Sequence, residues 1–243
     1  MKKQKILIFK NDRGGDLFTS IDLISSLLNK NNEITIFLSK FNYGFNFLFK
    51  IAEIKKISFD LGLIEKIYIF FHILKKEYSE IYILTPKNYY FFLPLLFRNI
   101  KFYAITINGK KRNRPNSFLR KFLHKYKSVD RTKYNKKNLK QLQSDLITQD
   151  TNNAKNNLNI PKMNEEYRDL LPDKFLFFQF KKNFFDQLNW STNEFEKIIN
   201  FLNVKNKYIL FSSDLEISNY NKYFESKYSV LNFGNDTVQV INK

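Results

Sequence analysis

Residues 5–28 read KILIFKNDRGGDLFTSIDLISSLL, and this stretch decides the fold of the chain. Its first part, residues 5–9, is an apolar run behind a lysine, which is typical of a strand buried on both faces of a parallel sheet. A turn with two adjacent glycines follows, and apolar residues then recur at helical spacing from Leu17 to about Lys30. The stretch therefore predicts a strand, a glycine turn and a helix, the opening unit of an α/β fold.

The same alternation continues along the chain. Apolar patterns predict strands at residues 33–38, 55–59, 80–85 and 101–107, and helices at residues 43–52, 61–78, 87–98, 117–127 and 135–149. Strands that alternate with helices are typical of a doubly wound parallel sheet with helices on both faces. We therefore predict an α/β fold built on a Rossmann-like sheet.

A second unit is predicted beyond a polar segment. Residues 150–159 are rich in Asn and Thr, and Pro161 and Pro172 bracket a segment suited to a linker. The alternation then resumes, with strands at residues 174–180, 207–212 and 228–232 and helices at residues 191–202 and 215–227. We predict an N-terminal domain at residues 1–160, a linker at 161–172 and the start of a second Rossmann-like domain at 173–243. Since only about 70 residues remain for that domain, we expect it to be incomplete and the chain to be truncated at its C-terminus.

Composition excludes several classes of protein. The 243 residues include no cysteine and only two separate histidines, His72 and His124, which argues against disulfides, thiolate zinc sites and a histidine-rich metal centre. An apolar content of 43% argues against disorder. No apolar window approaches the roughly 20 residues needed to cross a bilayer, and the N-terminus lacks a secretory apolar stretch. We therefore expect a cytoplasmic protein.

The net charge of +18 favours anionic partners. Nucleic acid, nucleotide phosphates and an acidic membrane surface all fit this charge, and an ordinary solvated surface fits it equally well. A basic nucleic-acid-binding protein is one alternative function. The aromatic residues lie mostly inside predicted strands and helices, however, and no known nucleic-acid-binding motif occurs, so we expect no specific nucleic-acid partner.

The turn between the first strand and the first helix is the best candidate site. Lys10, Arg13, Gly14, Gly15 and Asp16 lie there, at the carboxyl edge of the sheet, where open α/β folds bind ligands. The glycines permit close backbone approach, and helix-start amides favour an anion. Asp16 could instead only cap the helix, and the two basic residues could be ordinary surface charge. The turn matches neither a dinucleotide fingerprint nor a P-loop.

A basic run at residues 110–114 is a second candidate. It includes Arg112 and Arg114 and precedes the predicted helix at residues 117–127, whose apolar side carries aromatic and leucine residues. Such a run beside an amphipathic helix could face an anionic membrane or an acidic glycolipid. A solvated loop beside a helix that packs in the core is the alternative.

Residues 5–28 resemble the opening of glycosyltransferase family 9, which includes the ADP-heptose:lipopolysaccharide heptosyltransferases. Members begin with a hydrophobic strand, a polar or basic loop, a Gly-Asp pair and an amphipathic helix, and here Gly15 and Asp16 fall on that pair. Residues 129–131, with the polar helix and residues 158–161 after them, are similar to the passage out of the family's first domain. Residues 175–180 and 189–195 resemble the start of its nucleotide-binding domain.

This resemblance implies a GT-B fold, in which two Rossmann-like domains bind an acceptor and a nucleotide sugar. It implies inverting transfer without a metal or other cofactor, with Asp16 as the base that takes the acceptor hydroxyl proton. Lys10 and Arg13 would then contact acceptor or phosphate oxygens, and Lys181 and Lys182 would contact the donor diphosphate. The family usually has a basic residue at the position of Leu188, so the donor contact has moved or been lost.

The implied function is transfer of a sugar, heptose being one option, from a nucleotide-sugar donor to a lipopolysaccharide core or related cell-envelope glycan. The implied partners are a nucleotide sugar and an anionic glycolipid, with peripheral contact at the inner face of the cell membrane. An inactive acceptor-binding remnant is the alternative, because much of the donor domain is expected to be absent.

Overall fold

The computed structural model describes residues 4–12, 14–28, 32–108, 115–130, 138–147, 158, 176–180, 186, 189–202, 207–211 and 229–230. The chain divides into two units, Met1–Ile160 and Pro161–Lys243. The predicted linker at residues 161–172 lies outside the described residues.

A six-stranded parallel sheet forms the centre of the first unit. Its strands are β1 Lys5–Lys10, β2 Glu33–Ser39, β3 Glu53–Ile57, β4 Glu80–Ile83, β5 Lys101–Asn108 and β6 Lys125–Asp130. They lie in the order β3-β2-β1-β4-β5-β6, and every neighbouring pair is parallel. This is the strand order of a Rossmann fold, with its topological switch point between β1 and β4. The predicted doubly wound parallel sheet is confirmed.

Helices cover both faces of this sheet, as the buried parallel strands require. They are α1 Gly14–Phe18, α2 Ile21–Leu28, a 3₁₀ helix at Tyr43–Phe49, α3 Leu63–Lys76, α4 Asn88–Leu96, α5 Ser117–Arg120 and α6 Leu139–Ser144. Alternate residues of β1 face opposite layers: Ile6 and Ile8 pack with α2, the 3₁₀ helix and α6, whereas Leu7 and Phe9 pack with α3, α4 and α5. β1 is therefore central to both halves of the core.

The single helix predicted from Leu17 to about Lys30 is wrong, because α1 ends at Phe18 and α2 begins at Ile21. The hydroxyl of Thr19 donates a hydrogen bond of 2.7 Å to the backbone carbonyl of Asp16, and Ser20 donates to the same oxygen at 3.4 Å. Hydroxyls that bond locally to the backbone compete with helical hydrogen bonds and so favour a break.

The helix predicted at residues 117–127 is also wrong. α5 ends at Arg120, and residues 125–130 form the edge strand β6, which pairs with β5. The backbone N–H of His124 donates to the carbonyl of Phe102 at 2.8 Å and leads the chain into the sheet. Pairing with β5 therefore overrides the helical spacing of the apolar residues, although Leu119 and Leu123 are buried as predicted.

The second unit contains a three-stranded parallel sheet and a helix in its described part. The strands are β7 Leu176–Phe180, β8 Lys207–Phe211 and β9 Ser229–Val230, in that order across the sheet. The helix α7, Thr192–Phe201, begins after the N-cap Ser191, whose hydroxyl accepts from the backbone N–H of Glu194. The predicted helix at residues 215–227 lies outside the described residues. In neither unit is a described helix both long and apolar enough to cross a membrane.

Candidate active site

The carboxyl ends of four neighbouring strands surround a pocket in the first unit. Its volume is about 450 Å³, and it lies beside the switch point between β1 and β4, where open α/β sheets bind ligands. The walls come from the segments after β1 and β4 and from β5 and β6. The lining residues are Asp12, Asp16, Phe59, Leu84, Thr85, Pro86, Lys87, Ile105, Ile107, Val129 and Leu139.

Asp16 contributes an exposed carboxylate to this pocket. It is the third residue of α1, so it lies within the helix rather than at its N-cap. Among the described residues, no hydrogen bond or ion pair engages its side chain. Gly14 and Gly15 form the first two positions of α1 and bring Asp16 to the pocket.

Lys10 lies beneath the pocket, fully buried at the end of β1. Its Nζ is 2.7 Å from Oδ2 of Asp12, and only 14% of the Asp12 side chain is exposed. The alternative that Lys10 is ordinary surface charge is therefore wrong. Asp12 lines the pocket and Lys10 does not, so the structure places Lys10 behind a carboxylate that sequence reasoning missed.

Burial dominates the titration of this ion pair. It lowers the pKa of Lys10, and the attraction of Asp12 only partly offsets the effect. Burial likewise raises the pKa of Asp12, which Lys10 opposes and the nearby negative charge of Asp16 reinforces. Two carboxylates therefore share the pocket, and the more buried one holds its proton to higher pH than a free aspartate.

A buried polar network fixes the loop between β1 and α1. Ser39, at the end of β2, donates a 2.6 Å hydrogen bond from its hydroxyl to the backbone carbonyl of Asp12. Asn42 donates from Nδ2 to the carbonyl of Lys10 at 3.3 Å and to Oδ1 of Asp12 at 3.4 Å. These bonds fix both the backbone and the side chain of Asp12.

A second set of bonds ties the same loop to α4 and to the end of β3. The hydroxyl of Tyr90 donates to Oδ1 of Asn11 at 2.9 Å, and Asn11 Nδ2 donates to the carbonyl of Ser58 at 3.0 Å. The Tyr90 ring also stacks on Phe9 with 4.1 Å between centroids. Polar residues directly after the apolar runs of β1 and β2 were the available sequence signal for this network.

Lys87 supplies a cation to the pocket wall. Its Nζ donates a hydrogen bond to the carbonyl of Phe59 and lies 4.2 Å from the centroid of the Phe59 ring. Lys87 follows β4, as Asp12 follows β1, so it reaches the same edge of the sheet. Sequence reasoning did not select this residue.

Five other candidates fall outside the described residues. They are Arg13, Arg112, Arg114, Lys181 and Lys182. Within the part of the chain that is described, no group of three or more His, Cys, Asp or Glu side chains could hold a metal ion.

Comparisons with known proteins support the fold. No protein-family model matches the chain, and no curated protein matches its sequence. A glycosyl transferase family 9 structure from Veillonella parvula DSM 2008 matches 97% of this chain and 72% of its own, with a TM-score of 0.62 and 12% identity. E. coli heptosyltransferase WaaC, solved with ADP-2-deoxy-2-fluoro heptose, matches 96% of this chain and 77% of its own, with a TM-score of 0.56 and 10% identity.

A UDP-N-acetylglucosamine 2-epimerase candidate from Listeria monocytogenes is also similar. It matches 100% of this chain and 72% of its own, with a TM-score of 0.59 and 10% identity. At these identities the matches establish the fold alone. The chain has the GT-B fold of family 9 glycosyltransferases, as the resemblance of residues 5–28 predicts.

Proposed function

We propose that this chain is an inverting, metal-independent glycosyltransferase. It transfers a sugar, heptose being one option, from a nucleotide-sugar donor to a lipopolysaccharide core or related envelope glycan at the cytoplasmic face of the membrane. The observation that carries the proposal is the exposed Asp16 carboxylate in the pocket at the switch point of this fold. A carboxylate that no described residue engages is available to an acceptor hydroxyl.

The reaction needs one base and one stabilised leaving group. The acceptor hydroxyl oxygen attacks the anomeric carbon, its proton passes to Asp16, and the bond from that carbon to the nucleoside diphosphate breaks on the opposite face. Asp12 lies deeper in the same pocket, and the pair that it forms with Lys10 keeps a second carboxyl group beside the base. We assign Asp12 a positioning role towards acceptor hydroxyls.

Cationic side chains are proposed to bind and stabilise the leaving diphosphate. WaaC was solved with an ADP sugar, which supports a nucleotide-sugar donor for a chain of the same fold. We propose that Lys181 and Lys182 bind the diphosphate oxygens, that Arg13 binds a phosphate or acceptor oxygen, and that Arg112 and Arg114 bind the anionic glycolipid acceptor. Because these cations neutralise the leaving group, transfer should persist in the presence of a chelator.

The first test combines donor binding with transfer. Purified chain is titrated with ADP- and UDP-sugars by calorimetry, and sugar transfer to lipopolysaccharide core acceptors is followed by mass spectrometry with and without EDTA. Asp16→Asn should keep the dissociation constant of the donor within about twofold and lower kcat by about 10²-fold or more, because general-base catalysis contributes on that order.

Asp22→Asn is the matched control. Asp22 lies on α2, pairs at 2.7 Å with Lys140 on α6, and does not line the pocket. An unchanged kcat in Asp16→Asn would refute the role of Asp16. Release of an epimerised sugar from the donor without transfer would favour an epimerase, and donor binding without any reaction would favour a non-catalytic binding protein.

A further inference from the structure

Helix α3 exposes apolar residues on the side that faces away from the core. Ile69 and Ile73 pack against the sheet, but on the opposite side Ile64 is 83% exposed, Phe71 60% and Leu74 58%. A helix on the surface of a sheet normally presents polar residues to solvent, and one that is apolar all round is normally buried. α3 therefore lacks a cover on its outer side among the described residues.

The apolar surface continues from α3 to α4. The centroid of the Phe70 ring lies 5.5 Å from that of the Phe71 ring. It lies 5.3 Å from the centroid of the Phe97 ring, and Phe97 follows α4. Phe92 and Leu96 on α4 are 51% and 63% exposed. We define the apolar helix face as Ile64, Ile67, Phe71, Leu74, Phe92 and Leu96.

The charges around this face are predominantly positive. Residues 63–77, 88–98 and 117–121, which contain α3, α4 and α5, hold six basic and two acidic residues. One acid, Glu65, is engaged within the chain, since it accepts hydrogen bonds from the backbone N–H groups of Ser58 at 2.6 Å and Gly62 at 3.0 Å. Lys66, Lys75 and Arg98 lie on or beside α3 and α4, where the basic residues outnumber the acidic ones.

These charges select between possible occupants of the face. A second copy of the chain would bring two sets of lysines together, and each chain carries a net charge of +18. An anionic lipid surface offers the opposite charge, and its acyl region accepts aromatic and aliphatic side chains. Charge complementarity thus favours a membrane.

We propose that the apolar helix face docks the chain on an anionic membrane. Ile64, Phe71 and Leu74 enter the headgroup region, while Lys66, Lys75 and Arg98 contact lipid phosphates. This surface differs from the basic run at residues 110–114. The inference deepens the proposed function and rests on it, because a membrane-embedded acceptor is the reason for the chain to dock. The docking itself requires no sugar transfer.

The position of the face suits delivery of a lipid-linked acceptor. A second pocket of about 470 Å³ lies at the start of α3 and is lined by Phe59, Leu61, Lys66, Lys87 and Tyr89, with Asp60 and Asn88. Phe59 and Lys87 also line the pocket that contains Asp16. A headgroup held at α3 would therefore lie beside the candidate active site.

Co-sedimentation with vesicles tests the docking. Pure phosphatidylcholine vesicles are compared with vesicles that also contain phosphatidylglycerol, at low and high salt, without donor or acceptor. The chain should bind the anionic vesicles more tightly, and salt should weaken this binding. The double variant Ile64→Glu/Phe71→Glu should bind them at least about tenfold more weakly, because two apolar anchors become anions.

The double variant Ile51→Glu/Phe201→Glu is the control. It makes the same two chemical changes at residues that are 66% and 86% exposed and belong to neither α3 nor α4, so its binding should equal that of the unaltered chain. Equal binding by the α3 variant, or no binding by the unaltered chain, would refute the proposal. So would a dimer in light scattering that ignores vesicles and dissociates in the α3 variant. Donor calorimetry on the same proteins separates failure of docking from failure of the transferase proposal.

Discussion

Asp12 and Lys10 form a buried ion pair, so loss of either charge leaves the other without its partner. Asp12→Asn should lower the free energy of unfolding by about 3 kcal/mol, because breaking a buried pair strands a charge in a medium that solvates it poorly. Urea denaturation measures this change. Asp22→Asn removes the pair with Lys140, whose side chain is 53% exposed, and should cost less than about 1 kcal/mol.

The double variant Lys10→Met/Asp12→Asn distinguishes a stranded charge from a lost contact. It should recover part of the stability that Asp12→Asn loses, because no uncompensated ammonium remains. Equal losses in Asp12→Asn and Asp22→Asn would show that the buried pair contributes no more than a surface pair.

At the residue scale, sequence identified Asp16 as a candidate but missed Asp12. Both follow β1, but a family resemblance singles out only the Gly-Asp pair, and nothing local shows that Lys10 turns inward. That orientation depends on Asn42 and Ser39, which are about 30 residues away along the chain and reach Asp12 only once β2 pairs with β1. Contacts between strands therefore decide which polar residues form the site.

At the element scale, the hydroxyl of Tyr90 attaches α4 to the loop after β1. Tyr90→Phe leaves Oδ1 of Asn11 without its 2.9 Å donor, and it should lower the free energy of unfolding by about 1–2 kcal/mol. Because the same loop leads to Asp16, kcat of the proposed reaction should fall while the dissociation constant of the donor stays the same. Calorimetry and steady-state kinetics measure the two effects.

Tyr89→Phe is the control for this tie, since Tyr89 is the neighbouring residue of α4 and donates to the carbonyl of Lys66 instead. It should leave kcat unchanged. A kcat that falls equally in both variants would mean that α4 as a whole, rather than the bond to Asn11, positions the loop.

Elements buried on both faces were the most predictable from sequence. β1, β2 and β5 are apolar runs whose composition admits few other structures, and each lies within one or two residues of its predicted bounds. The predicted helix at residues 117–127 was wrong, because four of the five apolar residues at helical spacing precede residue 125, where the edge strand β6 begins. Its pairing with β5 is a long-range contact that local spacing does not encode.

At the scale of the whole molecule, the alternation of strands and helices sufficed to predict the Rossmann-like parallel sheet, and the resemblance of residues 5–28 implied the GT-B fold, whereas the chemistry depends on a few side chains. The apolar helix face illustrates the difference. Residues 61–78 were predicted to be a helix, but their spacing does not reveal which side faces solvent, because α3 is apolar on both. Only packing against the sheet identifies the exposed side.

Three buried tyrosines in the first unit should determine how the stability of the chain responds to alkaline pH. Burial raises the pKa of Tyr78, Tyr82 and Tyr90 above the ordinary value of 10.0. The unfolded chain releases these protons near pH 10 and the folded chain retains them, so their stabilising contribution is complete below pH 10 and is lost as pH rises above it. Each tyrosine should contribute a slope of up to about 1.4 kcal/mol per pH unit to the free energy of unfolding.

Comparison of variants isolates this slope from the neutralisation of lysines, which relieves the repulsion of a +18 chain over the same range. Urea denaturation between pH 9 and pH 11 should show a shallower loss of stability in Tyr82→Phe than in the unaltered chain. Tyr126→Phe is the control, because it removes the hydroxyl of a tyrosine that is 40% exposed. If Tyr82→Phe and the unaltered chain lose stability in parallel, the Tyr82 hydroxyl ionises as readily in the folded chain as in the unfolded chain, and its burial on β4 does not protect its proton.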